Sequence, residues 1–338
     1  MSKAVSMTEL AKIFNVSKVT ISNALNDKEG VSPQLKEEIK KKAAELGWRL
    51  NSAARNLKTS KSYNIGILIA ERYIGNTESY YLGIYGKLSS KFASLGYSCI
   101  LETINYEKEK KLELPLMYRD SKVDAIMIIG QLNTEYLKMF ENINIPILFL
   151  DFYNFNINVD SISMDNYTLG YLLTDHLISN GHRNIGFVGN IHSTTSIQDR
   201  FLGFYRALLE NKITLDYDYV ISDRNELGKT IDLSIKKIPT AFVCNNDHVA
   251  FTLIKKLKQS GIKVPEDVSV VAFDNTIFST ISEPTITTVD NNVDNIVELA
   301  SKVILKKLSC NKIYGRVLSQ GEIVERNSVK KICWYERD

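Results

Sequence analysis

"NVSKVTISNALND", Asn15 to Asp27, is a helix-length stretch that opens with a turn and then breaks a rule of surface helices. Exposed helical positions favour Glu, Lys, Arg and Gln, because Ser, Thr and Asn compete with the backbone for hydrogen bonds. Here Ile21, Ala24 and Leu25 fall at core-facing spacing. The other face carries Lys18, Val19, Ser22 and Asn23, with Thr20 and Asn26 near its edges. Ser17 stands where an N-cap belongs. A helix with so small and polar an outer face suits a polar partner that it must approach closely.

Working outward, Ser6 and Glu9 have capping-box spacing and start a first helix with the apolar stripe Leu10, Ala11 and Phe14. Asn15 tolerates the left-handed conformation, so a tight turn needs no glycine there. "VSPQLKEEIKKKAAELG" reads as a third helix, capped by Ser32, begun by Pro33 and ended by Gly47. Two helices joined by a short turn make a helix-turn-helix, whose second helix enters a major groove. Hydroxyls and backbone amides there bind phosphates, while Lys and Asn reach base edges. Taken alone, the pattern is shared by small helical adaptors.

Charge separates the ends of the 338-residue chain. Residues 1–62 hold twelve Lys/Arg against six Asp/Glu, whereas the rest is mildly acidic, and the formal total is +3. A basic head on an acidic body points to a polyanionic partner, although a lysine-rich solvated helix would give the same balance. The apolar fraction of 44% and charged fraction of 24% are those of a soluble globular protein of two or three domains. No apolar run approaches a membrane span, and no secretory signal opens the sequence. Cys99, Cys244, Cys310 and Cys333 form no CxxC pair, so reduced thiols and a cytoplasmic address are expected.

From Ile65 onward, apolar β-branched runs alternate with amphipathic helices. Strand candidates are 65–70, 99–102, 125–130, 147–151, 184–189, 240–245 and 268–274; helices fill gaps such as 79–95, 166–180, 199–211 and 247–260. This is an α/β pattern of doubly wound parallel sheets. Seven strands with late returns ("ITTVD", "RVLSQGEIVE") suit two lobes better than one sheet. The expected division is a helix-turn-helix domain at 1–48, a hinge helix and linker at 49–64, and an effector-binding and dimerisation body at 65–338. Its chain is expected to cross between lobes near 160–165, 288–292 and 318–324.

Ligands of open parallel sheets bind beyond the carboxyl ends of the strands. Those ends carry Asp151, Asn246 with Asp247, and Asp274. The strand at 184–189 leads through a polar loop to Ser196, Gln198 and Arg200, and the first strand leads to Tyr80 and Tyr81. Carboxylates, amides and one arginine beside aromatic rings suit a polyhydroxylated ring. Each has a plainer reading: Asp247 as a helix cap, the tyrosines as core, Arg200 as a surface ion pair. Catalytic signatures are absent: no GxGxxG after a strand, no Walker A, no GxSxG, no HExxH, and four dispersed histidines without metal-ligand spacing. Neither an enzyme nor a bound cofactor or metal is expected.

The motifs "VSKVTISNALN", "VSPQLKEEIKKKAAELGW", "NSAARNL", "GHRNIGFVG", "NNDHVA", "VPEDVSVVAFDN" and "EPTITTV" occur in one order along nearly the whole chain. In these the chain resembles the LacI/GalR family of bacterial repressors, with a periplasmic-binding-protein-like body. The resemblance implies that residues 51–57 fold as a hinge helix on an operator, with Ala54 in that helix and Leu57 wedged into the minor groove. It implies effector contacts at Tyr80, Tyr81, Asp151, Ser196 through Arg200, Asn246 and Asp274. It also implies a homodimer on a near-palindromic operator, controlled by a small molecule, most simply a sugar. No leucine-heptad tail follows residue 330, which favours a dimer over a tetramer. Control by a purine or a protein coregulator, and a solute-binding receptor, are the alternatives; the basic head argues against the last. The departures are Asn23 for a frequent Arg, Leu50 for a frequent Pro, Ala272 for the usual Gly, and a longer 71–79 loop without Asn-Pro. They point to a different operator reading and a reshaped pocket mouth.

Overall fold

The computed structural model describes residues 5–48, 56, 59–74, 80–310 and 312–332. Ala54 and Leu57, with most of the expected hinge helix, lie outside the described residues, as do 75–79 of the first body loop and Cys333. The chain forms two units, Met1–Lys61 and Ser62–Asp338.

In the first unit the helices Met7–Ile13, Lys18–Leu25 and Pro33–Glu45 follow one another. Ser6 and Glu9 make the reciprocal capping box, Ser17 accepts from the Thr20 amide, and Ser32 accepts from the Leu35 amide. Asn15 adopts φ 51°, the left-handed turn between the first two helices. Leu10, Ala11, Ile21, Ala24, Ile39 and Ala43 are its buried centre, with Phe14, Leu25 and Trp48 packed against them.

The second unit contains two six-stranded sheets. The strands are β1 (Asn64–Ala70), β2 (Ser98–Ile104), β3 (Ala125–Ile129), β4 (Ile147–Leu150), β5 (Ser161–Met164), β6 (Ile185–Val188), β7 (Val220–Ile221), β8 (Ala241–Cys244), β9 (Ser269–Phe273), β10 (Thr287–Asp290), β11 (Arg316–Ser319) and β12 (Glu322–Val324). The first sheet has the order β11-β5-β4-β3-β1-β2 and the second β12-β10-β9-β8-β6-β7. All pairings are parallel except β10 with β12. The apolar runs explain this for the inner strands, because β1, β3, β4, β8 and β9 are buried on both faces. In β1, Ile65, Ile67 and Ile69 join one apolar cluster while Leu68 and Ala70 join another. The second sheet divides likewise: Val271 and Phe273 pack on one face, Val270 and Ala272 on the other.

The two sheets make two lobes, and the chain changes sheet between β5 and β6, between β10 and β11, and between β11 and β12. "RVLSQGEIVE" is thus two strands in different sheets, separated at Gln320–Gly321. In the second lobe, helix Asn166–Ser179 packs on helix Thr195–Glu210 so closely that a Cβ on Gly203 would meet the Tyr167 carbonyl at 2.0 Å. That helix begins at Thr195, four residues before the expected start, because Thr194 caps it. No described helix is long and apolar enough to cross a membrane.

Candidate functional site

Helix Lys18–Leu25 puts Ile21 and Ala24 inside and leaves a short polar face outside. Ser17, Lys18, Val19 and Asn26 are exposed, Val19 at 67%; Thr20, Ser22 and Asn23 are half-buried. Several of these side chains are held in place. The Ser17 and Thr20 hydroxyls share a hydrogen bond of 2.9 Å, and the Asn26 amide donates to the Ser22 carbonyl at 2.7 Å. The Asn23 amide reaches the Glu29 carbonyl at 3.5 Å. A face of small, fixed polar groups can approach a groove floor with little ordering cost.

The second unit has its own polar centre where strand ends of both lobes converge. A cavity of about 230 Å³ is lined by Tyr73, Tyr80, Tyr81 and Asp151 of the first lobe and by Ser196, Arg200, Arg224, Asn246, Asp247, His248 and Asp274 of the second. Two strands end in residues of positive φ, Asp151 after β4 at 69° and Asp274 after β9 at 101°. Non-glycine residues occupy that region at a cost, and such positions cluster at functional sites. Gly130, at φ 76°, ends β3 where a Cβ would stand 3.0 Å from the Tyr73 ring and 3.2 Å from the Tyr81 ring. Only glycine leaves those tyrosines their places.

Arg200 is the most constrained of the polar groups, 5% exposed. Its Nε donates to Asn166 at 2.7 Å, Nη1 to the Asn245 carbonyl at 2.5 Å and Nη2 to Asp274 at 3.1 Å. Its guanidinium stacks 4.4 Å from the centre of the Phe273 ring. Asp274 Oδ1 also accepts from Asn291 at 2.8 Å, and Asn291 donates to the Tyr80 hydroxyl at 3.1 Å. The pair is a fixed fork beside the cavity rather than a surface salt bridge. Tyr81 donates to Asp151 Oδ2 at 2.9 Å, while the buried Oδ1 has no hydrogen-bond partner among the described residues. Burial pushes the Asp151 carboxyl up to about 6; Arg200 pulls it back and Asp274 adds to the rise. Tyr80 and Tyr81 are raised well above the usual phenol range, burial first and Asp151 next.

The structure assigns the helix cap at 246–247 differently from the plainer sequence reading. Asn246 is the N-cap, accepting from the Val249 amide, whereas Asp247 is fully buried in the first turn. Asp247 accepts from the Thr276 amide at 2.6 Å and hydroxyl at 3.0 Å, and from the Thr288 hydroxyl at 2.6 Å. Burial, with Asp274 adding to it, raises its carboxyl to about 7. Of the effector residues expected from the sequence, all line the cavity except Gln198, which is exposed, and Asp199, which is bound by Tyr153 and Arg316.

Sequence reasoning missed Tyr73, Thr194, Thr230, Asn245 and Phe278. It also missed a second arginine, Arg224, bound by Asp223 at 2.7 Å, and His248, which burial holds below its usual range. Asn245 and His248 flank an expected position and follow from the strand-end rule. Arg224 lies in "SDRNELGKT", which has neither strand nor helix periodicity to place it. No group of side chains able to hold a metal ion occurs among the described residues.

Comparison with known proteins places these features in context. A family model described as a periplasmic binding protein-like domain matches residues 174–329. The HTH-type transcriptional repressor PurR of Vibrio parahaemolyticus is 30% identical over 332 residues, covering 96% of this chain and 98% of that one. Its namesake in Vibrio campbellii is 28% identical over the same shares. Among solved structures, a lac repressor dimer bound to operator and the anti-inducer ONPF aligns with TM-score 0.78 at 22% identity, covering 97% and 100% of the two chains. A CelR–cellobiose complex aligns with TM-score 0.69 at 20% identity, covering 96% and 99%. At such identities the structural likeness is one of fold.

Proposed function

We propose an effector class and a mode of control for a chain that belongs to the LacI/GalR family of HTH-type transcriptional regulators. The chain is a DNA-binding repressor whose activity answers to a small molecule, and it is not an enzyme. In the reading offered here the effector is a sugar or related polyol held in the cavity between the lobes. The observation that carries this is the lining itself. Carboxylates at Asp151 and Asp274, the Asn246 side chain and the Ser196 hydroxyl stand around tyrosine rings in one small chamber. Its volume, about 230 Å³, is below the ~300–1,000 Å³ of sites for drug-sized ligands, which suits a single ring. Adjacent hydroxyls satisfy fixed acceptors and donors in pairs, and the apolar face of a sugar ring packs on aromatic carbon.

Ser17, Lys18, Val19, Thr20, Ser22, Asn23 and Asn26 meet one operator half-site, with Ala54 in the hinge helix and Leu57 wedged into the minor groove at the centre of the operator. A homodimer presents two such faces to a near-palindromic sequence, and phosphate contacts supply much of the affinity. Effector binding changes the angle between the lobes and so biases the ordering of residues 51–57, a coupling of about 1–3 kcal/mol in typical cases. The solution test is a thermal-shift panel of mono- and disaccharides, sugar phosphates, polyols and purines. A ligand at 100 times its dissociation constant adds about 2.7 kcal/mol. A shift by one sugar class that disappears in Asp274→Ala supports the reading; a shift by purines alone refutes it.

A further inference from the structure

One buried carboxylate of the cavity lacks a partner, and it has an address. Three carboxylates line it, Asp151, Asp247 and Asp274, against two guanidiniums, Arg200 and Arg224. Both cations are already engaged. Arg200 pairs with Asp274, and Arg224 is bound through Nε and Nη2 by Asp223, which is itself buried outside the lining. Asp247 takes three hydrogen bonds from threonine groups. Asp274 takes its two hydrogen bonds at Oδ1, whereas Asp151 is left with one, from Tyr81, and with a buried oxygen that nothing in the described protein answers.

That oxygen is buried, since Asp151 is only 7% exposed. An isolated carboxylate taken out of water costs far more than an unmet hydroxyl or amide. Its environment adds a second feature. Tyr73, Tyr80 and Tyr81 form a cluster of edge-to-face rings, with centroids 5.2 Å and 5.4 Å apart, and all three line the same cavity. Ring faces attract cations, and desolvation strengthens the attraction. A buried anion beside several aromatic rings is the complement of an ammonium group rather than of a second anion. Burial and Arg224 both lower the pKa of His248, the remaining basic side chain of the lining, so its environment disfavours a counter-charge there.

We propose that the effector carries a protonated amine that binds the Asp151 carboxylate beside the tyrosine rings, so that its class is an amino sugar or amino polyol. This rests on the sugar reading above and sharpens it. The amine supplies the missing hydrogen-bond donor and the missing positive charge together, whereas a hydroxyl supplies only the donor. The remaining hydroxyls meet Asp274, Asn246 and Ser196. A phosphorylated or carboxylated sugar is disfavoured, because its anion would stand near the unpartnered, buried carboxylate of Asp151.

The test uses matched probes at neutral pH with the full chain: glucosamine, glucose and N-acetylglucosamine, and the corresponding galactose and mannose sets, measured by calorimetry. Within the set that binds, the amine is expected to bind about tenfold or more tighter than its hydroxyl and N-acetyl counterparts, since close charge pairs couple by at least ~1.5 kcal/mol. In Asp151→Asn, which keeps a residue tolerant of positive φ, the ratio of amine to hydroxyl affinity should fall to about one, whatever the substitution costs both ligands. A hydroxyl or N-acetyl member that binds as well as the amine overturns the inference, and the wild-type comparison decides this even if the variant does not fold. If no sugar of any set binds, the sugar reading falls. The paired probes ethanolamine and ethylene glycol, and spermidine against a neutral triol of like length, then decide the amine separately. A lack of preference for the amine there overturns it too.

Discussion

Arg316, on edge strand β11 of the first lobe, donates to Asp199, on the second-lobe helix that also carries Arg200, at 2.8 Å. Tyr153 of the first lobe donates to the other Asp199 oxygen at 2.9 Å, and the Arg316 guanidinium lies 3.6 Å from the centre of the Tyr153 ring. Neighbouring residues of one helix thus do two things: Asp199 clasps the lobes and Arg200 builds the cavity. Removing one partner of a hydrogen bond to a charged group costs about 1.5–3 kcal/mol. Arg316→Ala is therefore expected to lose about that much stability in urea unfolding and to bind effector more weakly. Arg316→Lys should recover only part, because the planar stack on Tyr153 is lost. An Arg316→Ala chain as stable as wild type would remove the clasp from this account.

The buried carboxylates predict a pH dependence of unusual sign. Asp151, at about 6, stands above the ordinary unfolded value near 3.9, so the folded state holds its proton longer. Between roughly pH 4 and 6 the native protein binds more protons, and stability contributed by that proton falls as pH rises through the window. Asp151→Asn cannot titrate. The stability of the variant minus that of wild type should rise between pH 4.5 and 7, and level off above. A difference that stays flat across urea titrations at these pH values would show that Asp151 is not a strained, buried acid.

Leu57 lies outside the described residues, and its role comes from the resemblance alone. An apolar wedge trades base unstacking for added contact with bent DNA. Leu57→Ala should weaken binding to a specific operator in a fluorescence-anisotropy titration and leave effector binding at its wild-type strength. Equal operator affinity would remove the wedge.

Strands buried on both faces announce themselves as apolar runs, which is why β1, β3, β4, β8 and β9 were legible within a residue or two. Polar short strands such as β5, Ser161–Met164, and the two-residue β7 carry no such run and were not legible. The site divided along the same line. Asp151, Asn246 and Asp274 follow from the strand-end rule. Arg224 and Thr230 reach the cavity from an irregular segment whose path depends on long-range contacts, among them Asp223 with Asn245 at 3.1 Å. Reading a single arginine into the pocket from sequence, where two line it, was the consequence. Asp151's unmet oxygen was invisible for a related reason: spacing shows which groups converge, but not which hydrogen bonds are already taken.

In the proposed mechanism, occupancy of the cavity built around Arg200 sets operator affinity. The most direct measurement titrates a labelled operator with wild-type protein and with Arg200→Ala, each with and without the sugar found in the thermal-shift panel. The account predicts that the sugar changes wild-type operator affinity by about 5–150-fold, and that Arg200→Ala binds operator but ignores the sugar. A sugar that stabilises the wild-type protein yet leaves its operator affinity unchanged would contradict it.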